Sequence, residues 1–451
     1  MSTVTGQTSN ITKEEALITA RTMMQIMHLN INEIVNNPAI PYEYHDFIRA
    51  ELENDSNITL EPIHMIVQDK DEGWYQNSDR TSWYYWKQLR AYYLRIGWSA
   101  KSLISLDSTT DSILRQFRSP EFPSFDVKGL VLGYVQSGKT SNFAAIIAKA
   151  ADCGYRLFIV LSGIDKGLRR QTQIRLEREL MGYGARPGDL NHVPLPPQGR
   201  QWHKFTSTEV DGDFYPGNAN QASLQGPEPV IMVVKKNGSV LRRLIEWLSK
   251  APPNVLRTTS TLIIDDEADL ASIDTRGSYQ TEEEDLPDDY EPPSVINGLI
   301  RDLIMKFTRK VYVAYTATPF ANILIPHDTF DRNLGNDLYP KDFIISLPKP
   351  EGYFGAEELF GLSSPDGEKS DSVLGVIKTV DEGDVNLLEV GQIPTSMENA
   401  MLGFVLAGAA RAQRGEISKP ATMLIHTSHK IESHTNVTSA VQQKFDEFKN
   451  T

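Results

Sequence analysis

The chain has 451 residues, 40% hydrophobic and 23% charged, enough apolar material for a sizeable core and unlike a disordered chain. Its formal net charge of −14 argues against wholesale coating of nucleic acid or an anionic membrane, and leaves room for a local basic groove. A single cysteine, Cys153, excludes an internal disulfide framework and a multi-cysteine zinc site. At roughly 150 residues per domain, two to four domains are expected. The opening MSTVTGQTSN has no basic start and apolar run, so no signal peptide is read. No apolar stretch approaches the ~20 residues of a spanning helix. The expectation is a cytoplasmic protein with no membrane partner.

Residues 1–125 read as mainly helical. Thr12 and Glu15 form a capping-box pattern before Leu17, Ile18, Met23, Met24 and Met27, and Ser108 with Asp111 form another before Ile113, Leu114 and Phe117. Between them, Trp74 to Trp98 holds four of the six tryptophans, interleaved with Arg80, Lys87, Arg90 and Arg95. Such a segment is either a base-stacking face or, as aromatics this dense usually are, a packing core with snorkelling cations.

Residues 126–330 change character. Short apolar runs, Gly129–Leu132, Leu157–Leu161, Val230–Val234, Leu262–Ile264 and Val311–Ala314, alternate with helical patterns. That alternation predicts an α/β fold, a parallel sheet between helices. The segment TEEEDLPDDYE at 281–291 carries seven acids and no base, and reads as a solvated loop or disordered insertion, the alternative being an acidic mimic of DNA that gates a groove. Residues 331–395 read as an irregular connector with a few strands. In 396–451 the pattern gives a helix over 397–414, a buried strand ATMLIH over 421–426 and a helix over 436–449.

The strongest chemical signal is GYVQSGKT, Gly133 to Thr140, which fits G-x-x-x-x-G-K-[ST] and lies between an apolar strand and a helix. Phosphate needs many donors converging on a small volume, and backbone N–H groups at a helix N-terminus supply them. Gly133, Gln136, Ser137, Gly138, Lys139 and Thr140 would form this nucleotide cradle. Lys139 brings charge to the β and γ phosphates, and the Thr140 hydroxyl serves Mg²⁺.

The second signal is TLIIDDEADLAS, Thr261 to Ser272. Asp266 would hold Mg²⁺ and Glu267 would take a proton from the attacking water. Asp265 would either tune the metal site or cap the strand end. The third is AYTATPFAN, where the hydroxyls of Thr316 and Thr318 can bond the preceding acids, with Asp269 as the coupling partner. Catalysis would thus fall to Lys139, Asp266 and Glu267, with ATP and Mg²⁺ as ligands.

Order and spacing point to a RecA-like P-loop NTPase lobe, and D-E-A-D followed by T-A-T resembles superfamily 2 helicases and translocases. Three longer stretches, GLVLGYVQSGKTSNFAAIIAKAADCGYRLFIVLSGIDKGLRRQTQIRLERELMG, VIMVVKKNGSVLRRLIEWL and AMLGFVLAGAARAQRG with ATMLIHTSH, resemble bacterial proteins that carry the Z1 domain, often labelled endonucleases. The resemblance spans about residues 108–440. It implies a superfamily 2 ATPase joined to the Z1 region, in restriction-like anti-phage gene clusters beside methyltransferases, nucleases and MutL-like or MORC-like ATPases. It also implies that only the start of a second lobe is present, without the arginine finger such a lobe brings, so the chain is expected to be a fragment or one piece of a split protein.

In superfamily 2 proteins the loop after the second strand meets the nucleic-acid backbone. Here KGLRRQTQIRLER, residues 166–178, carries five bases and one acid. Lys166, Arg169, Arg170 and Gln173, with Lys235, Lys236 and Asn237 after the next strand, are the expected phosphate contacts to DNA. The alternative for each is a solvated face. No nuclease centre is legible: His426, His429 and His434 fit neither a strand nor a helix face, and the clustered carboxylates two-metal cleavage needs are committed to ATP. The function expected is an ATP-driven, helicase-like DNA translocase subunit of a defence system. The alternatives are a nucleotide-gated switch that recruits a separate nuclease, and an ATP-dependent endonuclease.

Overall fold

The five apolar runs form strands because residues buried on both faces need only a continuous row of branched or aromatic side chains. A computed structural model describes residues 13–26, 34–35, 37–41, 44–45, 47–48, 64–67, 73–134, 138–184, 191–270, 272, 293–325, 330–331, 335–350, 353–360, 377–416, 420–428 and 431–450. Two compact units result, Met1–Tyr353 and Phe354–Thr451. The acidic segment 281–291 and Thr12 lie outside the described residues.

The first unit is built on an eight-stranded sheet. Its strands are β1 (His64–Val67), β2 (Phe125–Leu132), β3 (Leu157–Ser162), β4 (His203–Lys204), β5 (Val230–Lys235), β6 (Ser260–Asp266), β7 (Arg309–Thr316) and β10 (Phe343–Ser346). Two more, β8 (Phe330–Asp331) and β9 (Gly335–Asn336), form a separate antiparallel ribbon. The sheet order is β1-β10-β2-β7-β6-β3-β5-β4, parallel throughout except for the β1–β10 pair at one edge. The sheet thus extends beyond residues 126–330. It recruits β1 from the mainly helical region and β10 from the stretch that composition reads as a connector.

Side chains alternate across the sheet as the two-residue period requires. From β3, Phe158 and Val160 enter one core, while Leu157, Ile159 and Leu161 enter the other. The first core is covered by α2 (Tyr85–Arg95), α3 (Ala100–Leu114) and α4 (Lys139–Asp152). The second is covered by α6 (Gly238–Ser249), α7 (Pro253–Thr258) and α8 (Pro293–Met305). Between the two sets of helices in sequence comes α5 (Lys166–Leu176), which runs directly into a π-helical turn, Glu177–Met181. The short α9 (Phe320–Ile323) follows β7. Near the start of the chain, α1 (Lys13–Ile26) packs Ala16, Ala20 and Met23 against Ile34, Val35, Ile40 and Ile48.

The aromatic segment is a packing core. Tyr75, Trp83, Tyr85, Trp86, Tyr92 and Tyr93 are buried, and Trp98 stacks on Tyr93 with ring centroids 4.4 Å apart. The guanidinium of Arg80 lies over the rings of Tyr75 and Trp83. A carboxylate at the end of α4 fixes the start of α2: Asp152 accepts from the amides of Tyr84, Tyr85 and Trp86 at 2.7, 3.0 and 2.9 Å. This satisfies donors that a helix start leaves unpaired.

The expected helix start at Ser108 is corrected. Ser108 lies inside α3, whose cap is Ser99, its hydroxyl accepting from Ser102 N at 3.1 Å. Asp111 has a different task. The fully buried ammonium of Lys149, on α4, sits 2.6 Å from Asp107 Oδ1 and 2.6 Å from Asp111 Oδ1, and Arg80 closes on Asp111 Oδ2 at 2.9 Å. Burial opposes the charge of Asp111, but Lys149 and Arg80 outweigh it and hold its carboxyl below the ordinary value. Lys149→Ala breaks a buried pair on one side and is expected to cost about 3 kcal/mol of stability. A urea midpoint unchanged from wild type would show that the two aspartates are hydrated well enough without it.

The second unit is helical where it is described. It comprises α10 (Ala356–Phe360), α11 (Glu382–Glu389), α12 (Thr395–Gln413) and α13 (Ile431–Asn450). Leu388, Met397, Met401 and Val437 form its core. The helix expected over 397–414 is α12, stopped by Gly415 at φ +82°. The buried strand expected at 421–426 is not there: these residues pair with no strand and Leu424 is 87% exposed. A short apolar run becomes a strand only where a sheet edge accepts its amides, and this unit offers none among its described residues.

Candidate functional site

The sequence signals converge at the C-terminal ends of β2, β3, β6 and β7, where open parallel sheets form their binding crevices. A cleft of about 740 Å³ opens there. Gly138, Lys139 and Thr140 line one side, and Asp266, Glu267 and Asp269 the other. Gly138 starts α4 in the left-handed region at φ +84°, a conformation that glycine adopts without steric cost. Gly133 N donates to Thr316 O at 3.0 Å, tying the loop to the end of β7. Lys139 Nζ donates to Tyr134 O at 3.1 Å. Gln136 and Ser137 lie outside the described residues.

The acids divide by environment. Asp265 is fully buried and lies outside the cleft lining; it accepts from Tyr312 OH at 2.6 Å and Lys236 Nζ at 2.8 Å. Asp266 faces the cleft, and its carboxyl is pushed up to about 6, by burial first and by the charge of Glu267 second. Asp266 and Glu267, both lining the cleft, could accept a divalent cation. Glu267 is the one non-glycine residue with positive φ, +54°, among the described residues. Its carboxylate lies over Gly163, where a Cβ would fall 2.5 Å from Glu267 Oε2. Any larger residue after β3 would displace it. Asp269 accepts from Thr316 Oγ1 at 2.7 Å and from Thr318 Oγ1, so the ends of β6 and β7 are joined by side chains.

Several expected DNA contacts are withdrawn. Lys236 is 2% exposed, and its ammonium donates to Asp265 Oδ1, the carbonyls of Asp266 and Glu267 (2.9 and 2.7 Å) and Ser272 Oγ. It holds the acidic turn from beneath. Arg169 is 1% exposed and donates to the carbonyls of Ser207 and Glu209 at 3.0 and 3.3 Å. Gln173 is buried between Glu177 and Thr206, and Lys235 is buried in β5. Asn237 caps α6 through the amides of Ser239 and Val240. Lys166 and Arg170 are exposed, although Arg170 Nε reaches Thr208 O at 2.6 Å.

A different face of α5 meets the cleft. Gln171, Thr172 and Arg175 line it, none of them singled out from the sequence. A 100° step per residue places Arg169 and Gln173 inward and turns 171, 172 and 175 toward the acids. Asp165 fixes this orientation by capping α5, accepting from Gly167 N at 2.7 Å and Leu168 N at 3.1 Å.

A second cavity, about 400 Å³, borders Gly138 on the side of α3 and residues 347–350, with Trp98, Leu106 and Leu347 beside Ser102, Thr109 and Asn142. In the second unit the rings of His426 and His434 lie 5.9 Å apart, and His429 is outside the described residues. Among the described residues no group of three or more His, Cys, Asp or Glu is arranged to hold a metal ion by itself. No described helix is long and apolar enough to cross a membrane.

Compared with known families, residues 396–451 match the Z1 domain, within the second unit. No curated protein matches the chain.

Proposed function

We propose that the chain binds ATP with Mg²⁺ in the cleft at the ends of β2 and β6 and hydrolyses it, as a RecA-like, superfamily 2-like lobe acting on DNA. The supporting observation is the meeting of Lys139 and Thr140, at a glycine-started helix, with Asp266 and Glu267 across one cleft. Thr140 and Asp266 would hold Mg²⁺, which typically keeps several waters and takes only one or two carboxylates beside substrate phosphates. Held there, the ion would supply positive charge to the terminal phosphates. The start of α4 and Lys139 bind and orient the phosphate chain. Glu267 accepts a proton from water as its oxygen bonds to the γ phosphorus. The bond from that phosphorus to the β–γ bridging oxygen breaks, releasing ADP and phosphate. The second cavity, with apolar walls and hydroxyls, suits the base and ribose. The Thr316–Asp269–Thr318 bonds provide a path by which the phosphate state reaches β7.

DNA contact would rest on Lys166 and Arg170. Residues 396–451 match the Z1 domain, and the wider resemblance to Z1 proteins suggests a role in a defence gene cluster beside a nuclease, a methyltransferase or a MORC-like ATPase. One observation favours a second reading, a nucleotide-gated switch. Burial of Arg169, Lys235 and Lys236 removes most of the basic track that a translocating strand would follow.

Steady-state ATP hydrolysis with Mg²⁺, with and without single- and double-stranded DNA, tests both. Lys139→Ala is expected to weaken ATP binding by roughly 10- to 100-fold, the worth of one charge-assisted phosphate contact. DNA-stimulated turnover supports the motor reading, and DNA-independent turnover the switch. Equal ATP binding by wild type and Lys139→Ala removes the cradle assignment.

A further inference from the structure

We propose that Arg175 binds the γ-phosphate from within the same chain, so that the cleft carries its own arginine; the proposal rests on the ATP reading above. Arg175 lies in the last turn of α5 and lines the cleft with Lys139, Thr140 and Glu267. Its side chain keeps 31% of its exposure, although it is anchored at two points. Nε donates to Glu179 Oε1 at 2.8 Å, and NH2 donates to Ser141 Oγ, on the residue that follows Thr140. The anchor is itself rigid. Glu179 is buried, and Tyr93 OH donates to its other oxygen at 2.7 Å.

The local backbone supports this placement. Glu179 belongs to the π-helical turn Glu177–Met181, a widened geometry that is rare in helices and recurs at functional sites. Glu179 stands four residues after Arg175, the spacing at which helical side chains pair, while the bond to Ser141 holds Arg175 against the first turn of α4. A guanidinium carries five N–H donors. Glu179, Ser141 and the neighbouring Tyr93 are three partners, fewer than the donors available. A planar fork held this way suits the terminal phosphate of a nucleotide bound along α4, where two parallel N–H bonds can form.

The test compares Mg-ADP with a Mg-bound, non-hydrolysable ATP analogue on the full chain, by calorimetric titration of wild type, Arg175→Ala and Arg175→Lys. Arg175→Ala is expected to lose roughly 10-fold or more in affinity for the analogue, the worth of a charge-assisted bond, and less than about 2-fold for ADP. Arg175→Lys, which retains the charge beside Glu179, should recover part of the preference and guards against misfolding, checked by thermal melting without nucleotide. Equal loss for both nucleotides, or none, makes Arg175 a structural anchor and overturns the proposal. Wild type that binds both nucleotides without preference also overturns it and leaves the ATP reading intact. Wild type that binds neither removes both.

Discussion

Glu267→Gln is expected to lower ATP turnover by about 10²–10⁴-fold, the usual contribution of a positioned general base. Mg-ATP should remain bound, because glutamine keeps the volume and one acceptor oxygen of the side chain. The expectation comes from the backbone as much as from the carboxylate. At φ +54°, Glu267 is in a region that bulky residues seldom occupy, and such outliers cluster where surrounding structure enforces them. Here the enforcement is visible. Lys236 holds the carbonyls of Asp266 and Glu267, and Gly163 leaves the space the carboxylate fills. Single-turnover hydrolysis beside nucleotide retention on filters separates the two effects. Normal turnover would place the base elsewhere in the cleft.

Lys236→Ala should be severe in a different way. Its ammonium and the Asp265 carboxylate are both fully buried, 2.8 Å apart. Removing one side of such a pair typically costs about 3–5 kcal/mol. Turnover should fall as well, since the turn carrying Glu267 loses its donors. The double variant Lys236→Met with Asp265→Leu separates these losses. It replaces the pair with apolar groups of similar size and should recover part of the stability, short by about 1–3 kcal/mol for the buried Tyr312 hydroxyl it leaves unpaired, as measured by urea midpoint at constant slope. Turnover should stay low, because methionine offers nothing to the carbonyls of Asp266 and Glu267. Recovery of both would confine Lys236 to the pair alone.

The legible parts of this molecule are those written locally. Leu157–Leu161 and Val230–Val234 read as strands because burial on both faces leaves no polar residue in the run. GYVQSGKT and DDEAD read as site residues because the turn geometry is encoded within a few residues. What the sequence hides depends on which strands become neighbours. Lys236 follows β5, which looks like a strand exit into solvent. Yet β3 lies between β5 and β6 with Lys235 opposite Ser162 and Leu161 opposite Asp265, and this register brings Lys236 to the acidic turn. The basic count of 166–178 likewise says nothing of direction: Arg169 and Arg175 belong to different faces of one helix. The strands β1 and β4 escape notice because four or two residues at a sheet edge carry little pattern, and β10 is among the few strands expected in the connector without its place in the main sheet.

The order of the strands also governs how the chain can be assembled. Lys128, in the middle of β2, donates its amide to the carboxylate of Asp342, 214 residues later in sequence. During synthesis at about 5–20 residues per second, the strand leading into the glycine-bounded loop before α4 therefore waits roughly 10–40 s for that neighbour. Meanwhile α2, α3 and α4 have partners close in sequence and can associate early, whereas Leu130 and Val131 lie in a strand with neither neighbour yet made. Nascent chains halted before β7 would present open, apolar strand edges, the surfaces on which chaperones act and from which aggregates grow.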